Sequence, residues 1–229
     1  MREKLIYLFL AGAAGLLAIN LYIVFMRLPD ELNQGMIYRI IYFHVPSSLT
    51  AFTGFFAALI ASAGYLTTKD LRYDAVAAAA SEVGLAFASV VLVTGSVWAR
   101  IIWGIWWTWD ARLTSMFVCW LLYAGYLMLR RAIDEPAQRA RLSAVLSIFA
   151  FTDVVIVWKS IEWWRTQHPA PVLSIRNGGG MAPGMEAPIY WNYLALALLG
   201  AALVLIRMRQ ENVRREIDSL RRMVHEMAF

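Results

Sequence analysis

Residues 5–26 read LIYLFLAGAAGLLAINLYIVFM, a stretch of about 22 residues without a charged side chain. A helix needs roughly 20 apolar residues to cross the hydrocarbon core of a bilayer. The hydrophobic segment of a cleaved secretion signal is shorter, about 7–15 residues. The stretch therefore predicts a membrane-spanning helix, although the basic residues Arg2 and Lys4 before it resemble the start of a signal peptide.

Five more apolar stretches follow along the chain. They lie at 44–66, 75–97, 112–129, 141–158 and 190–206. Hydrophobic residues make up 60% of the sequence, well above the roughly 45–50% that is usual in soluble domains. We therefore predict an all-α polytopic membrane protein with six transmembrane helices, which form one membrane domain over residues 1–206.

The basic residues predict the orientation of these helices. Lys and Arg are twice as many in the N-terminus, the loops after the second and fourth spans and the tail as in the other three loops. The richer side faces the cytoplasm, so both termini are predicted to be cytoplasmic in a bacterial inner membrane. The loops 27–43, 98–111 and 159–189 then face the periplasm. The net charge of +5 thus indicates topology and predicts no nucleic-acid partner.

The tail, residues 207–229, is basic and amphipathic. It spaces apolar residues along one helical stripe among arginines: Val213, Ile217, Leu220, Val224 and Met227. This pattern is typical of a helix that lies on a lipid surface or binds a partner.

Tryptophan is concentrated on one side of the predicted topology. The loop 98–111 holds Trp98, Trp103, Trp106, Trp107 and Trp109, and the region of the loop 159–189 holds Trp158, Trp163, Trp164 and Trp191. An ordinary aromatic belt decorates both membrane interfaces, so a one-sided set favours a surface for a flat, apolar ligand. Asp110 closes the central run. It either caps the fourth span or belongs to that surface, and both roles stay open.

Two histidines flank this loop on the same predicted face. His44 lies at the outer end of the second span, and His168 lies in the loop before the sixth, whereas His225 lies in the tail. Lone histidines are usually interfacial hydrogen-bonding residues, but imidazoles beside an aromatic surface also suit haem iron. Three cations on this face, Arg100, Arg112 and Arg165, would bind either haem propionates or lipid phosphates. A single cysteine, Cys119, excludes an internal disulfide and a C-x-x-C-H attachment site.

The motifs around these residues resemble a known family. Trp103-Gly-x-Trp-Trp-x-Trp109-Asp110 is similar to the WWD signature of haem-handling membrane proteins. The segments Tyr38-Arg-Ile-Ile-Tyr-x-His44-Val-Pro46, Thr94-Gly-Ser-x-Trp98 and Glu162-Trp-Trp-x-Thr-x-His168 resemble, in order, the cytochrome c maturation C protein (CcmC) family. The resemblance covers nearly the whole chain.

The resemblance implies a function and a site. His44 and His168 would be the axial ligands of haem b, and the haem platform would comprise Trp98, Trp103, Trp106, Trp107, Trp109, Asp110, Trp163 and Trp164. The protein would hold haem at its periplasmic face and deliver it to the haem chaperone CcmE. It would work with the ABC transporter subunits CcmA and CcmB and the small membrane protein CcmD.

Alternative functions remain open at this point. The chain could be a haem permease, and the acids Glu82 and Asp153 are then the only residues within the spans that suggest a path. It could also be a redox enzyme that acts on haem and quinol. Both acids could equally serve helix packing or a proton path. We see no hydrolytic constellation, although covalent attachment of haem to CcmE would resemble a lyase reaction. The glycine-rich segment 177–188 lacks the Gly-Lys-Ser/Thr of a phosphate-binding loop and reads as a flexible loop.

Overall fold

The computed structural model describes residues 2–169, 181–182 and 184–227. It contains six long helices: α1 (Arg2–Tyr22), α2 (Ile41–Thr68), α3 (Leu71–Trp103), α4 (Ala111–Ala132), α5 (Pro136–Trp163) and α6 (Ala187–Met227). Each region is long and apolar enough to cross a membrane, and the described residues contain no strand beyond one isolated bridge. The predicted all-α architecture with six membrane-spanning helices is confirmed, and the protein is a multi-pass membrane protein.

Several helices continue past the predicted spans. Helix α1 is followed by a π-helical turn, Ile23–Arg27, and α2 is preceded by a 3-10 turn, Met36–Ile40. Helix α3 runs on to Trp103, so only residues 104–110 of the loop 98–111 lie outside a helix. Helix α6 joins the last span to the tail in one helix of 41 residues. Residues 170–180 and 183, which include the start of the glycine-rich segment 177–188 and much of the preceding loop, lie outside the described residues.

The two ends of the helix bundle hold different residues. We call the end that holds residues 104–110 the tryptophan end. At the opposite end, the start of α1 meets the extension of α6, where Arg209 contacts Glu3 at 2.7 Å. Helices α2 and α3 form the central hairpin, α5 and α6 pack against it, and α1 packs mainly against α6.

Side-chain caps begin three of the helices: Asp70 caps α3, Asp110 caps α4 and Glu135 caps α5. Asp70 accepts a hydrogen bond from the Arg72 backbone N–H at the start of α3 (2.8 Å). Glu135 does the same for α5 by accepting from Ala137 N–H (2.9 Å), and Pro136 follows at the first helical position, where its missing N–H does no harm. Short polar connections can therefore reverse the chain between long apolar helices.

Helices α2 and α3 approach each other closely at two glycines. A Cβ on Gly54 would lie 3.1 Å from the Gly84 Cα, and a Cβ on Gly84 would lie 2.8 Å from the Phe55 ring. The Phe55 ring is itself stacked on Tyr123, with ring centroids 3.7 Å apart. Small residues allow this packing, which takes the place of the hydrophobic driving force that lipid does not supply.

A proline interrupts the backbone hydrogen bonding of α2 next to His44. Pro46 has no N–H to give to the Tyr42 carbonyl one turn earlier. Asn192 of α6 donates to that carbonyl instead (2.6 Å), and its own side-chain oxygen accepts from Asn20 of α1 (3.0 Å). The Tyr42 hydroxyl donates to the Met185 carbonyl (3.0 Å). These bonds tie α1, α2 and α6 together at the tryptophan end.

The acidic residues within the spans have different surroundings. Asp74 and Arg130 form a buried ion pair near the opposite end, with 3% and 9% of their side chains exposed. Glu82 pairs with Arg207 at 2.6 Å. Asp153 is buried, and its Oδ2 atom has no hydrogen-bond partner among the described residues. Glu82 thus joins α3 to α6, whereas the structure gives Asp153 no such pairing.

The contact between α2 and α3 makes a substitution at Gly84 informative. We expect Gly84→Ala to lower the free energy of unfolding by about 1–3 kcal/mol, the usual effect of overpacking a core, because the stacked Phe55 ring has little room to move away. Unfolding in mixed detergent micelles, followed by helical circular dichroism, measures this change.

The matched control is Gly125→Ala in α4, where nothing lies within 4 Å of the added Cβ. It should be neutral or stabilising by up to about 1 kcal/mol, because alanine favours a helix more than glycine does. Equal effects of the two substitutions would contradict close packing at Gly84.

Candidate cofactor-binding cleft

A cleft opens at the tryptophan end between α2, α3, α4 and α5. Its cavity volume is about 210 Å³, below the roughly 300–1,000 Å³ that is usual for small-molecule and cofactor sites, and its mouth is open. Apolar side chains form much of the wall: Phe52, Val91, Leu92, Ile102, Leu113, Met116 and Val157. Both flanking histidines, three of the tryptophans and one arginine also line it: His44, His168, Trp98, Trp103, Trp107 and Arg112.

His44 enters the cleft from the first turns of α2. Its ring is half-buried, and Nδ1 lies 2.9 Å from the Thr94 hydroxyl of α3. The Trp98 indole packs edge-on against it, with ring centroids 5.9 Å apart. A Cβ on Gly95 would lie 3.1 Å from the imidazole Cε1, so an alanine there would require the ring to shift by a few tenths of an ångström. The imidazole is therefore fixed from several directions.

His168 enters the cleft from the segment that follows α5. Its ring is half-buried, and its Nδ1 lies 2.9 Å from the Pro169 carbonyl oxygen. Burial lowers the pKa of this imidazole below its ordinary value, and the positive charge of Arg112 lowers the pKa further. Near neutral pH the ring is therefore uncharged, which is the form in which histidine binds metals.

The hydrogen-bond partners define the same tautomer for both rings. A carbonyl oxygen can only accept, so His168 donates from Nδ1 to Pro169. The Thr94 hydroxyl already donates to the Val90 carbonyl (2.7 Å), so its oxygen accepts from the His44 Nδ1–H. Each neutral imidazole therefore carries its proton on Nδ1 and keeps a free lone pair on Nε2. Such orientation by a neighbouring oxygen is typical of histidines that ligate metals.

Three tryptophans contribute to the cleft wall, and their N–H groups differ. Trp98 donates from Nε1 to the Gln34 side chain (2.8 Å), and Gln34 also lines the cleft. The Trp107 Nε1 is buried without a partner among the described residues. A buried indole N–H normally finds an acceptor, so this donor without a partner is unusual.

Four other tryptophans of the predicted platform lie outside the cleft lining and are exposed. The exposed fractions are 59% for Trp106, 75% for Trp109, 56% for Trp163 and 51% for Trp164. Trp109 still contacts Trp107 edge-on, with centroids 5.8 Å apart, and Trp163 contacts Trp164 in the same way at 5.7 Å. The structure thus divides the aromatic residues into lining rings and exposed rings.

The three arginines of this face also differ in position. Arg112 lines the cleft and donates to the Val157 carbonyl. Arg100 is exposed and donates to the Gly104 carbonyl, and Arg165 is exposed as well. Of these three, Arg112 alone contributes to the described lining.

Asp110 connects two parts of the site. Its Oδ1 caps α4 by accepting from the Leu113 backbone N–H (2.9 Å). Its Oδ2 accepts from the Thr166 hydroxyl (2.7 Å) and from the Gln167 N–H (3.2 Å). The carboxylate therefore joins residues 104–110, which we call the tryptophan loop, to the segment that carries His168.

Three contributing residues were not singled out from the sequence. Thr94 and Thr166 lie inside the motifs that carry the family resemblance, but a sequence pattern does not reveal their hydrogen-bond partners. Gln34 lies in a polar loop and gives no signal at all. Its Glu31 neighbour accepts from the Gln34 backbone N–H (2.6 Å), which holds the loop so that the amide reaches Trp98.

Comparison with known proteins reveals relatives over nearly the whole chain. Residues 1–223 match the family described as heme exporter protein C. Heme exporter protein C of Bradyrhizobium diazoefficiens is 38% identical over 221 residues, which cover 96% of this chain and 83% of that protein. The Escherichia coli (strain K12) protein is 38% identical over 183 residues, 79% and 73% of the two chains. The Paracoccus denitrificans protein is 33% identical over 211 residues, 92% and 87%.

The tautomer of His44 can be tested without any ligand. In protein with ¹⁵N-labelled histidine, we expect the His44 ring to be protonated at Nδ1, because Thr94 offers an acceptor there and its own proton is already donated to Val90. Thr94→Val removes the acceptor and should shift the ring toward the Nε2-protonated tautomer, which neutral histidine intrinsically favours. The nitrogen chemical shifts, assigned with a His44→Gln variant, give the result. Protonation at Nε2 in the unsubstituted protein would contradict the assignment.

Proposed function

This chain belongs to the heme exporter protein C family, and on that premise we propose that it is a haem-handling membrane protein of cytochrome c maturation. The observation that carries the proposal is the shared cleft of His44 and His168. Both imidazoles line it, and the bonding at Nδ1 leaves each Nε2 available. Haem iron takes axial ligands of this kind.

The residues of the cleft fit haem b in further respects. Haem supplies an iron with axial positions, a flat apolar ring and two carboxylates. The apolar wall and the rings of Trp98, Trp103 and Trp107 suit the ring system, since aromatic faces stack on flat partners. Arg112 suits a propionate, because guanidinium groups pair with carboxylates.

The exposed aromatic residues support a role in delivery. We place the tryptophan end on the periplasmic side of a bacterial inner membrane, because the basic residues are more frequent at the other end. The exposed rings of Trp106 and Trp109 are sequence neighbours of the lining residue Trp107, and the mouth of the cleft is open. A haem chaperone such as CcmE would approach there, while CcmA, CcmB and CcmD would complete the assembly. The role of this chain would then be to hold haem and to present it to the chaperone. Trp163 and Trp164 would form a further part of the platform.

The axial assignment predicts the spectra of histidine variants. We expect His44→Gly and His168→Gly each to lose the low-spin haem spectrum or most of the haem, because each change removes one axial nitrogen. Added imidazole should partly restore the low-spin spectrum by filling the vacant position. Visible absorption of the purified, haem-loaded protein measures both effects.

The control is His225→Gly, which alters a histidine of the tail and should leave the spectrum unchanged. If His44→Gly and His168→Gly both keep the original spectrum, then the axial assignment is wrong and the proposed function loses its main support.

The two groups of tryptophans should act at different steps. Replacing a lining ring, Trp103→Ala or Trp107→Ala, should weaken haem retention up to about tenfold, because an aromatic contact contributes about 0.5–1.5 kcal/mol beyond its buried area. Replacing an exposed ring, Trp106→Ala or Trp109→Ala, should leave retention nearly unchanged and lower the amount of haem that becomes bound to co-expressed CcmE. Haem content and CcmE loading are measured in the same cells.

The paired comparison decides between a platform and an anchor. Normal retention and normal CcmE loading in all four variants would show that the loop only anchors the protein at the membrane interface, and the platform would be abandoned.

A further inference from the structure

The segment that carries His168 has little regular structure to hold it. Helix α5 ends at Trp163, and the Trp164 N–H closes its last turn on the Ser160 carbonyl (3.1 Å). The following residues, 165–169, form no helix or strand. His44, in contrast, lies within a long helix. The position of His168 therefore depends on contacts made by its neighbours.

Those contacts converge on one carboxylate. The Thr166 hydroxyl donates to Asp110 Oδ2 at 2.7 Å, and the Gln167 backbone N–H donates to the same atom at 3.2 Å. The Thr166 oxygen in turn accepts from the His168 backbone N–H at 3.0 Å. A hydrogen bond to an ionised group is roughly twice as strong as one between neutral groups. The chain of contacts from Asp110 through Thr166 to His168 is thus short and strong.

We propose that Asp110 is a positioning residue which, through Thr166, holds His168 in the cleft that it shares with His44. This inference rests on the proposed haem-binding function. It assigns Asp110 a role beyond the cap of α4, since its second oxygen is directed away from that helix to the His168 segment. It also assigns Thr166 a role as the link between the carboxylate and the histidine backbone.

The arrangement couples the tryptophan loop to one axial ligand. Asp110 is the last residue of the loop, so a displacement of the loop moves the carboxylate to which Thr166 and Gln167 are bonded. His44 is held by Thr94 of α3, and no hydrogen bond among the described residues connects its side chain to residues 104–110. A partner that moves the loop would therefore loosen the ligation by His168 before that by His44.

Two variants separate this role from the helix cap. Asp110→Ser keeps an oxygen that can cap α4, since serine is among the best N-cap residues, but it removes the second carboxylate oxygen. Thr166→Val keeps the shape of the side chain, removes its hydroxyl and leaves the cap intact. Thr166→Ser restores the hydroxyl. Thr67→Val, at an exposed threonine near the opposite end, is the matched control.

The experiment uses full-length, haem-loaded protein and two readouts. Electron paramagnetic resonance of the ferric protein reports whether the iron has two strong axial ligands, and transfer of haem to an excess of apomyoglobin gives its rate of release. We expect Asp110→Ser and Thr166→Val to convert low-spin haem to high-spin and to speed release by about ten- to one-hundredfold, the factor expected for a lost hydrogen bond to a charged group. Imidazole should return the low-spin signal, and Thr166→Ser and Thr67→Val should behave like the unaltered protein.

The outcomes separate this inference from the function on which it rests. If His168→Gly alters the signal while Asp110→Ser and Thr166→Val keep both the low-spin signal and the original release rate, the positioning role is wrong and the axial assignment stands. If His168→Gly itself changes nothing, the axial assignment fails and the positioning role fails with it. Should Asp110→Ser not fold, Thr166→Val alone decides the matter, because its cap is unaltered.

Discussion

A single backbone carbonyl that lacks its helical donor is the constraint on which the tryptophan end depends. Pro46 leaves the Tyr42 carbonyl without its helical donor, and in a bilayer an unsatisfied carbonyl costs several kcal/mol. Asn192 supplies the missing hydrogen bond from α6 (2.6 Å), and Asn20 of α1 holds Asn192 in place. Three helices must therefore meet within one turn of His44. This requirement fixes the position of the cleft, because the first turns of α2 cannot move away from α1 and α6.

The sequence predicts the features that arise from local physics. A stretch of apolar residues of sufficient length has to form a helix in lipid, so the six spans can be counted along the chain from hydrophobicity alone. The cap at Asp110 is similarly local, because it depends only on an acid placed before the first turn of a helix. The family membership follows from motifs that lie near the two histidines. These predictions need no knowledge of how one helix faces another.

The remaining features depend on contacts between distant parts of the chain. Nothing in the sequence distinguishes Trp107, which lines the cleft, from its exposed neighbour Trp106, because that difference arises from the direction in which the loop leaves Trp103. The bond from Thr166 to Asp110 joins residues that are 56 positions apart. The Gln34 amide reaches Trp98 across 64 positions. The first contact requires the packing of α4 against α5, and the second requires the loop before α2 to lie against α3. Hydrophobic periodicity does not specify either arrangement.

The close contact of Gly54 with Gly84 sets the alignment of α2 and α3 beside the cleft. His44 lies ten residues before Gly54, and Thr94 lies ten residues after Gly84. In two antiparallel helices these equal intervals span equal distances, about 15 Å each, so alignment of the glycines brings the imidazole level with the hydroxyl. Inserting one residue into either interval would shift one partner by about 1.5 Å and turn it by roughly 100°. The length of these two intervals is consequently as much a part of the site as the residues at their ends.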